Sequence, residues 1–377
     1  MCTPPNRQEY RRDERIFLSN SIVSPKAQRG VSRYFQKISE GLVKEFGAGV
    51  LLCSPHQETE FSGRHIRTPQ FAGSHWLKAH DIVASLIARK ERPDIFYSAY
   101  YGNTQSNSPQ IFTVYDMIHE RFPQYFSPQS AAVRSFIAEK RRCFERASLL
   151  IAISAATAKD ILALYPYLDP AKLEVVPLGV EDRFFESVER PFNAERPYLL
   201  YVGHRNYHKN FARTLCAFGE SGLVADADLR VISPSGSTFT EDEQAIIQRY
   251  TMGESVFLMV GASEELLHAS YANAKALIYP SEYEGFGLPI LEGMASGTLV
   301  ATSNVSSMPE VAGTSAEYFD PYSVESIAEA LQRIFSLSDD ERTSRISSGI
   351  KHARTFSWER CQTTTNALFH RLLAAKK

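Results

Sequence analysis

The sequence predicts an α/β protein built from two Rossmann-like domains, each a doubly wound parallel sheet, with a cleft between them. Three observations carry this reading. Short apolar runs recur along the chain, of a length that suits strands buried on both faces. Most are separated by polar or helix-like spans, the alternation expected of a doubly wound sheet. The rhythm lapses once, over Glu186–Pro197, and then restarts, in a chain whose 377 residues exceed what one small core organises.

Residues 1–14 are polar, read as a loose arm, and lack the apolar core of a signal peptide. Arg15–Ser19 is the first strand, and Ser24–Tyr34 is a turn feeding a helix with apolar positions at Phe35, Ile38, Leu42 and Val43. Strand, glycine turn and helix in succession is phosphate-loop geometry. Gly30 taken alone favours a plain turn. Gly49–Cys53, Ile95–Ser98, Ile111–Tyr115, Leu149–Ile153 and Leu173–Val176 complete the first set of strands. The second set is Tyr198–Val202, Leu229–Ile232, Val256–Val260, Ala276–Tyr279, Leu299–Ala301 and Glu317–Phe319. The tail Trp358–Leu373 reads as a helix, so the domains are placed at residues 1–190 and 191–355, with 356–377 as a terminal helix.

Apolar residues at 44% and charged residues at 22% are ordinary for a globular protein, and a net charge of -2 offers no electrostatic footprint for nucleic acid. Cys2, Cys53, Cys143, Cys216 and Cys361 form no Cys-x-x-Cys pair, which argues against a disulfide framework or a zinc site and fits a reducing cytosol. No run reaches the roughly eighteen apolar residues of a membrane span. A cytoplasmic protein is expected.

The chemistry concentrates in Pro280–Gly297, which follows the apolar strand Ala276–Tyr279. Pro289 suits the first position of a helix, and Gly297 suits the left-handed residue just past its end. The loop therefore gathers free backbone N–H groups at a helix N-terminus, which attracts phosphate. Glu284 precedes the loop and Glu292 lies in the first turn. Glycosidase carboxyls stand about 5 to 9 Å apart; an intervening loop and helical turn suit a longer ligand, two sugars joined by a diphosphate. A surface loop capping a helix is the plain alternative.

After the strand ending at Val202 comes Gly203–Asn210, with Arg205 and Lys209 four residues apart, one helical turn. Two solvated cations are the default; a place at a strand's C-terminal end, where open α/β sheets bind ligands, favours a diphosphate clamp. His204 and His208 share that spacing but have no evident third ligand, so no metal site is read. Asp116–Glu120 leaves another strand, where Asp116 and His119 could meet a sugar or acceptor, against a structural histidine as the default. Asp226-Ala-Asp228 has metal-pair spacing but precedes a strand, where turn aspartates are common, and no metal is expected. Ser233–Gly236 and Val260–Leu266 end two strands and read as ordinary turns. Arg134, Lys140, Arg141, Arg142 and Arg146 lie at helical spacing in Ala131–Arg146; a solvated face is preferred to contact with an anionic membrane.

The Glu284-x7-Glu292 spacing within Pro-Ser-x-x-Glu-Gly-Phe-Gly-Leu-Pro, followed by Ala295-Ser-Gly297, closely resembles the family-4 (group 1) retaining glycosyltransferases of the GT-B fold. Gly203–Asn210 resembles their Gly-x-Arg-x-x-x-Lys-Asn element. The resemblance covers most of the chain and is strongest over Tyr198–Gly313. It implies hexose transfer from a nucleotide diphosphate sugar, with retention and without metal. Glu284 would contact the donor sugar near the reacting carbon and Glu292 the ribose. Arg205 and Lys209 would hold the diphosphate, helped by backbone N–H groups of Phe286 to Leu288. Gly285, Gly287, Gly203, Gly30 and Ser233 would line the donor site, and the loops Ser233–Gly236 and Val260–Leu266 would border the nucleotide base and diphosphate.

This chain has one glycine near Gly30 where two are common in the family. It also has Tyr115-Asp116 where the family often has His-Asp, with His119 three residues on as the sugar contact. Ser303–Gly313 matches a family stretch and is read as structural support. The form Tyr-Asp-Met-Ile-His-Glu-x-Phe-Pro looks like bacterial polysaccharide and O-antigen transferases that handle mannose-type sugars. A GDP-sugar donor is favoured and a UDP-sugar is second, with a glycan or lipid-linked acceptor and a last helix crossing back to the first domain; peripheral contact at the inner membrane face is the alternative to a purely cytoplasmic protein. A nucleotide-sugar epimerase shares this architecture. A non-catalytic nucleotide-binding subunit is a third reading, opposed by the intact Glu284, Glu292, Arg205 and Lys209.

Overall fold

The computed structural model describes residues 14–20, 30–55, 61–69, 76–98, 100–126, 130–188, 196–205, 207–234, 236 and 238–376, with the backbone alone at 76–78. The turn at 24–29 and most of the 186–197 lapse lie outside those residues. Seven parallel strands form the first sheet: β1 (Ile16–Ser19), β2 (Val50–Ser54), β3 (Arg64–Arg67), β4 (Ile95–Ser98), β5 (Gln110–Val114), β6 (Leu149–Ala152) and β7 (Leu173–Val175). Their order across the sheet is 3-2-1-4-5-6-7. Six more make the second: β8 (Tyr198–Val202), β9 (Asp228–Ser233), β10 (Val256–Val260), β11 (Ala276–Tyr279), β12 (Leu299–Ser303) and β13 (Glu317–Phe319), ordered 10-9-8-11-12-13. Two doubly wound parallel sheets are thus present, as the apolar runs predict. Each expected strand lies within one or two residues of its predicted bounds.

Strands β1, β2, β4, β5 and β6 are buried throughout, which is why their sequences are continuous apolar runs rather than alternating ones. Strand β3 was not anticipated. It is Arg-His-Ile-Arg at the sheet edge, with its two arginines exposed, so it carries no apolar signature.

Strand order reverses beside β1 and β4 in one sheet and beside β8 and β11 in the other. Ligands of such sheets bind beyond the C-terminal ends of the strands at that reversal. The helix Gly30–Phe46 follows β1, Gly203–Asn210 follows β8, and Pro280–Gly287 follows β11. Helix Gly30–Phe46 buries Tyr34, Phe35, Ile38 and Leu42, one face at helical spacing. In helix Leu288–Ala295, Pro289 takes the second position rather than the first, because Gly287 (φ 116°) is the residue before the helix. Gly297 is left-handed (φ 75°), just past the last turn.

The chain returns to the first domain at its end. Val180 N–H donates to the Phe356 carbonyl (3.0 Å), and a Cβ at Gly179 would stand 2.2 Å from the Trp358 nitrogen. Helix Trp358–Ala375 then lies on helix Gly30–Phe46: Gln362 Nε2 donates to the Lys37 carbonyl (2.6 Å), His370 meets Glu45 (2.8 Å), and Phe369 packs edge-on to Tyr97. No described helix is long and apolar enough to cross a membrane.

Candidate functional site

Two helix N-termini meet between the sheets. A Cβ at Gly30, where the first described helix begins, would touch Leu288 Cδ1 at 3.5 Å, and Leu288 opens the helix after the Gly285-Phe286-Gly287 loop. Neither helix has an acid in its first turn: Glu292, expected there, is the fifth residue of helix Leu288–Ala295, because the helix begins at Leu288. Two positive dipole ends, one per domain, therefore converge without a local counter-charge from their own first turns.

Around them every expected donor-binding charge meets a protein partner. Lys209 Nζ lies 2.5 Å from Glu284 Oε1, and Ser281 Oγ donates to the same oxygen at 2.7 Å. Burial pushes the Glu284 carboxyl up, but Lys209, His208 and the Ser281 hydrogen bond outweigh it and hold the group below the usual carboxylate range. Glu292 is buried. Its Oε1 accepts from Arg33 (2.7 Å) and its Oε2 from the Tyr271 hydroxyl (3.0 Å). Arg33 also lies 3.6 Å from Glu264 and 3.9 Å from Glu181.

Arg205 differs from expectation. The residues after it form a 3-10 turn, Tyr207–Lys209, ended by left-handed Asn210, so a spacing of four does not place Arg205 and Lys209 on one helical face. Arg205 instead pairs with Glu243 (3.0 Å), donates to the Thr238 carbonyl (2.7 Å), and lies over the rings of Phe211 and Phe239. Gly203 (φ 141°) makes the bend out of β8 that no side chain adopts readily, and Ser233 is buried at the end of β9. Phe286 is buried, and its carbonyl accepts from Ser307 Oγ (2.6 Å).

Asp116 accepts from the Ile118 N–H (3.0 Å) through Oδ1. His119 is sandwiched by Phe126 (4.2 Å between ring centres) and Phe136 (4.7 Å), and burial lowers its pKa. Lys140 is not on a solvated helix face: only 1% exposed, it pairs with Glu120 and donates to the Asp116 carbonyl. Arg141 and Arg142 are tied to Glu145 and Glu139. Asp228, of the discounted acid pair, faces Arg196 (3.3 Å) and Arg230 (3.8 Å). Among the described residues no three His, Cys, Asp or Glu side chains cluster to hold a metal.

The domains are clasped by residues to which the sequence reading gives no role in domain contact. Glu310 accepts from the N–H groups of Ala155 (2.8 Å) and Ala156 (3.1 Å), placing a carboxylate of the second domain on a helix N-terminus of the first. Its stretch is the one the sequence reads as structural support; what it supports is the domain contact. The Tyr283 hydroxyl donates to Asp160 (2.8 Å) and accepts from the Met117 N–H (3.0 Å). A Cβ at Gly285 would stand 1.6 Å from the Tyr115 carbonyl oxygen, so only glycine fits there. Cavities of about 310 Å³ beside β1 and 570 Å³ between Asp81 and Arg142 lie away from Lys209 and Glu284.

The chain matches the family model described as Glycosyl transferases group 1 over residues 182–352, and that described as Glycosyltransferase Family 4 over residues 28–184. The MMP alpha-(1->4)-mannosyltransferase of Mycolicibacterium hassiacum is 28% identical over 246 residues, covering 63% of this chain and 58% of that protein, less than two thirds of its length. The O-antigen chain mannosyltransferase B of Escherichia coli is 29% identical over 270 residues, 68% of each. Among solved structures, sucrose-phosphate synthase from Thermosynechococcus elongatus superposes with a TM-score of 0.80 at 20% identity, covering 96% of this chain and 100% of that one. WaaG, a glycosyltransferase involved in lipopolysaccharide biosynthesis, gives 0.75 at 17%, covering 93% and 98%. These last two likenesses are of fold.

Proposed function

Because the chain belongs to the group 1, family 4 glycosyltransferases, whose two models together run from residue 28 to residue 352, we propose that it transfers a hexose from a nucleotide diphosphate sugar to a glycan or lipid-linked glycan in polysaccharide synthesis. A mannose-type sugar carried on GDP is the favoured donor, since the two curated relatives above are mannosyltransferases by name. The observation that carries the reading is the meeting of the two helix N-termini at Gly30 and Leu288, with Glu284, paired to Lys209, in the loop four residues before Leu288. A diphosphate there would sit at two positive dipole ends and beside a fixed cation.

In this scheme Lys209 exchanges Glu284 for phosphate oxygens, and Arg205 reaches the diphosphate only by leaving Glu243. Glu284, released, contacts the donor sugar near C1; Glu292 takes the ribose hydroxyls; the N–H groups from Phe286 to Leu288 meet phosphate. Asp116 and His119 border the sugar, and Gly30, Gly203, Gly285, Gly287 and Ser233 shape the walls. The bond from C1 to the diphosphate oxygen breaks as the acceptor oxygen bonds to C1 on the same face. The acceptor's proton passes to the leaving phosphate oxygen, so configuration is retained and no protein nucleophile or metal is used.

A melting-temperature panel with GDP, UDP, ADP and dTDP in metal-free buffer tests this. A ligand at a hundred times its Kd adds about 2.7 kcal/mol of stability. A shift with GDP alone supports the mannose-type donor, a shift with UDP alone transfers the reading to a UDP-sugar, and no shift with any nucleotide sinks it.

A further inference from the structure

Tyr207 departs from two ordinary rules at once. It is 57% exposed, and its backbone is left-handed (φ 51°), a conformation that a bulky aromatic residue rarely adopts. Asn210 (φ 59°) closes the same turn, its N–H donating to the Tyr207 carbonyl at 3.1 Å. Strained turns persist where the surroundings require a side chain at a particular place, and this one projects an aromatic ring beside Lys209.

The ring faces the other domain. Its centre is 6.0 Å from that of Tyr125 and 6.2 Å from that of Phe126. Phe126 stacks on His119, and Tyr125 stacks on Phe122 at 5.7 Å with the rings only 8° from parallel. Polar groups rim these rings: the Tyr125 hydroxyl is held by Glu282, Glu282 pairs with Arg213, and the Glu282 N–H donates to the His208 carbonyl (2.7 Å).

We infer that Tyr207, Tyr125 and Phe126 form a ledge, built from both domains, on which the pyranose ring of the acceptor's terminal sugar stacks. A pyranose presents C–H groups on its face and hydroxyls at its edge. Aromatic faces with a carboxylate and a guanidinium at the rim match both. A lipid chain would need a continuous apolar surface, which the Glu282–Arg213 rim interrupts. The ledge adjoins the turn that carries Lys209, so a stacked sugar can present a hydroxyl to the donor carbon. The inference rests on the transferase reading above.

Ligand-observed NMR titration of the full chain with methyl α-D-mannopyranoside and with the methyl β-glycoside of N-acetylglucosamine, each at saturating GDP or UDP, tests the ledge. Wild type binds at least one saccharide, and Tyr207→Phe keeps its affinity within about twofold. Tyr207→Gly relieves the left-handed strain, so it melts no lower than wild type yet binds the saccharide about tenfold more weakly. Wild-type affinity in Tyr207→Gly, equal loss in Tyr207→Phe, or no binding of either saccharide by wild type overturns the ledge. The nucleotide melting shift is read separately: its presence with a failed saccharide arm leaves the donor reading standing, and its absence in wild type removes both.

Discussion

Replacing Lys209 by Met removes the cation that faces Glu284 at 2.5 Å while preserving the bulk of its stem. The Glu284 and Lys209 side chains are 13% and 20% exposed, so the variant strands a largely buried carboxylate. Breaking a fully buried pair costs roughly 3–5 kcal/mol; discounted for residual exposure and for the Ser281 hydrogen bond, about 2–3 kcal/mol is expected. For a domain of roughly 150–250 residues that corresponds to a fall of roughly 4 to 12 °C in Tm. The pH dependence should change sign. In wild type the Glu284 pKa is depressed, so its contribution is full above the unfolded value of 4.5 and is lost as pH falls through the lower folded value. Without Lys209, burial dominates and raises the pKa; stability is then greatest below 4.5 and declines as pH rises.

Adding Glu284→Gln to Lys209→Met removes the stranded charge, so the double variant should regain most of the loss, with a coupling energy above about 1 kcal/mol. Nucleotide binding supplies the functional arm. A lost charge-assisted contact of about 1.5–3 kcal/mol predicts nucleoside diphosphate binding roughly 10- to 100-fold weaker, measured by calorimetry. A loss of under about 0.5 kcal/mol, well below that expected for a buried pair, would show that the pair does not form. Unchanged nucleotide affinity would remove Lys209 from the diphosphate site.

Three further predictions address the clasp and the first domain. Glu310→Ala deletes the carboxylate on the Ala155 and Ala156 N–H groups and should lower Tm by an amount equivalent to about 1–2 kcal/mol, with a larger radius of gyration by solution scattering; an unchanged radius would rule out a clasp. Gly285→Ala places a Cβ where the Tyr115 carbonyl stands, and a displaced domain contact should cost transfer about a hundredfold in kcat with far-ultraviolet circular dichroism intact; wild-type kcat would mean the contact is not made during catalysis. Burial pushes the Asp81 carboxyl up to about 8 from 3.8, so its contribution to stability is full below 3.8 and lost as pH rises through about 8. Asp81→Asn should flatten that decline in urea unfolding measured from about pH 4 to 9, which spans the interval between the unfolded and folded values; a parallel wild-type slope would contradict the shift.

Much of the fold is written locally. A strand buried on both faces must be apolar over its whole length, so β1, β2, β4, β5 and β6 are visible as runs. Gly287 and Gly297 mark the ends of their helix because only glycine takes those backbone angles without cost. The same locality made Glu284, Glu292, Arg205 and Lys209 legible as candidates, since each lies in a loop just past a strand or in the helix such a loop leads into. Strand β3 escaped because an edge strand has little to bury.

What the sequence could not decide is which charge meets which. Lys209 finds Glu284 75 residues away, Arg33 finds Glu292 259 away, and Glu310 finds Ala155 155 away. Arg33–Glu292 and Glu310–Ala155 depend on how the two sheets come to rest against each other, and Lys209–Glu284 on how the loops past two neighbouring strands of one sheet meet; no spacing along the chain encodes either. Arg205 shows the consequence: four residues before Lys209, it is turned to Glu243 by a 3-10 turn and two left-handed residues whose conformations only the packed structure imposes. The sequence by itself determined the two sheets, the loops at their reversal points and the kinds of charge those loops carry. The tertiary structure decided the partners, because an ion pair is chosen by distance in space and by burial, neither of which exists until the chain has packed.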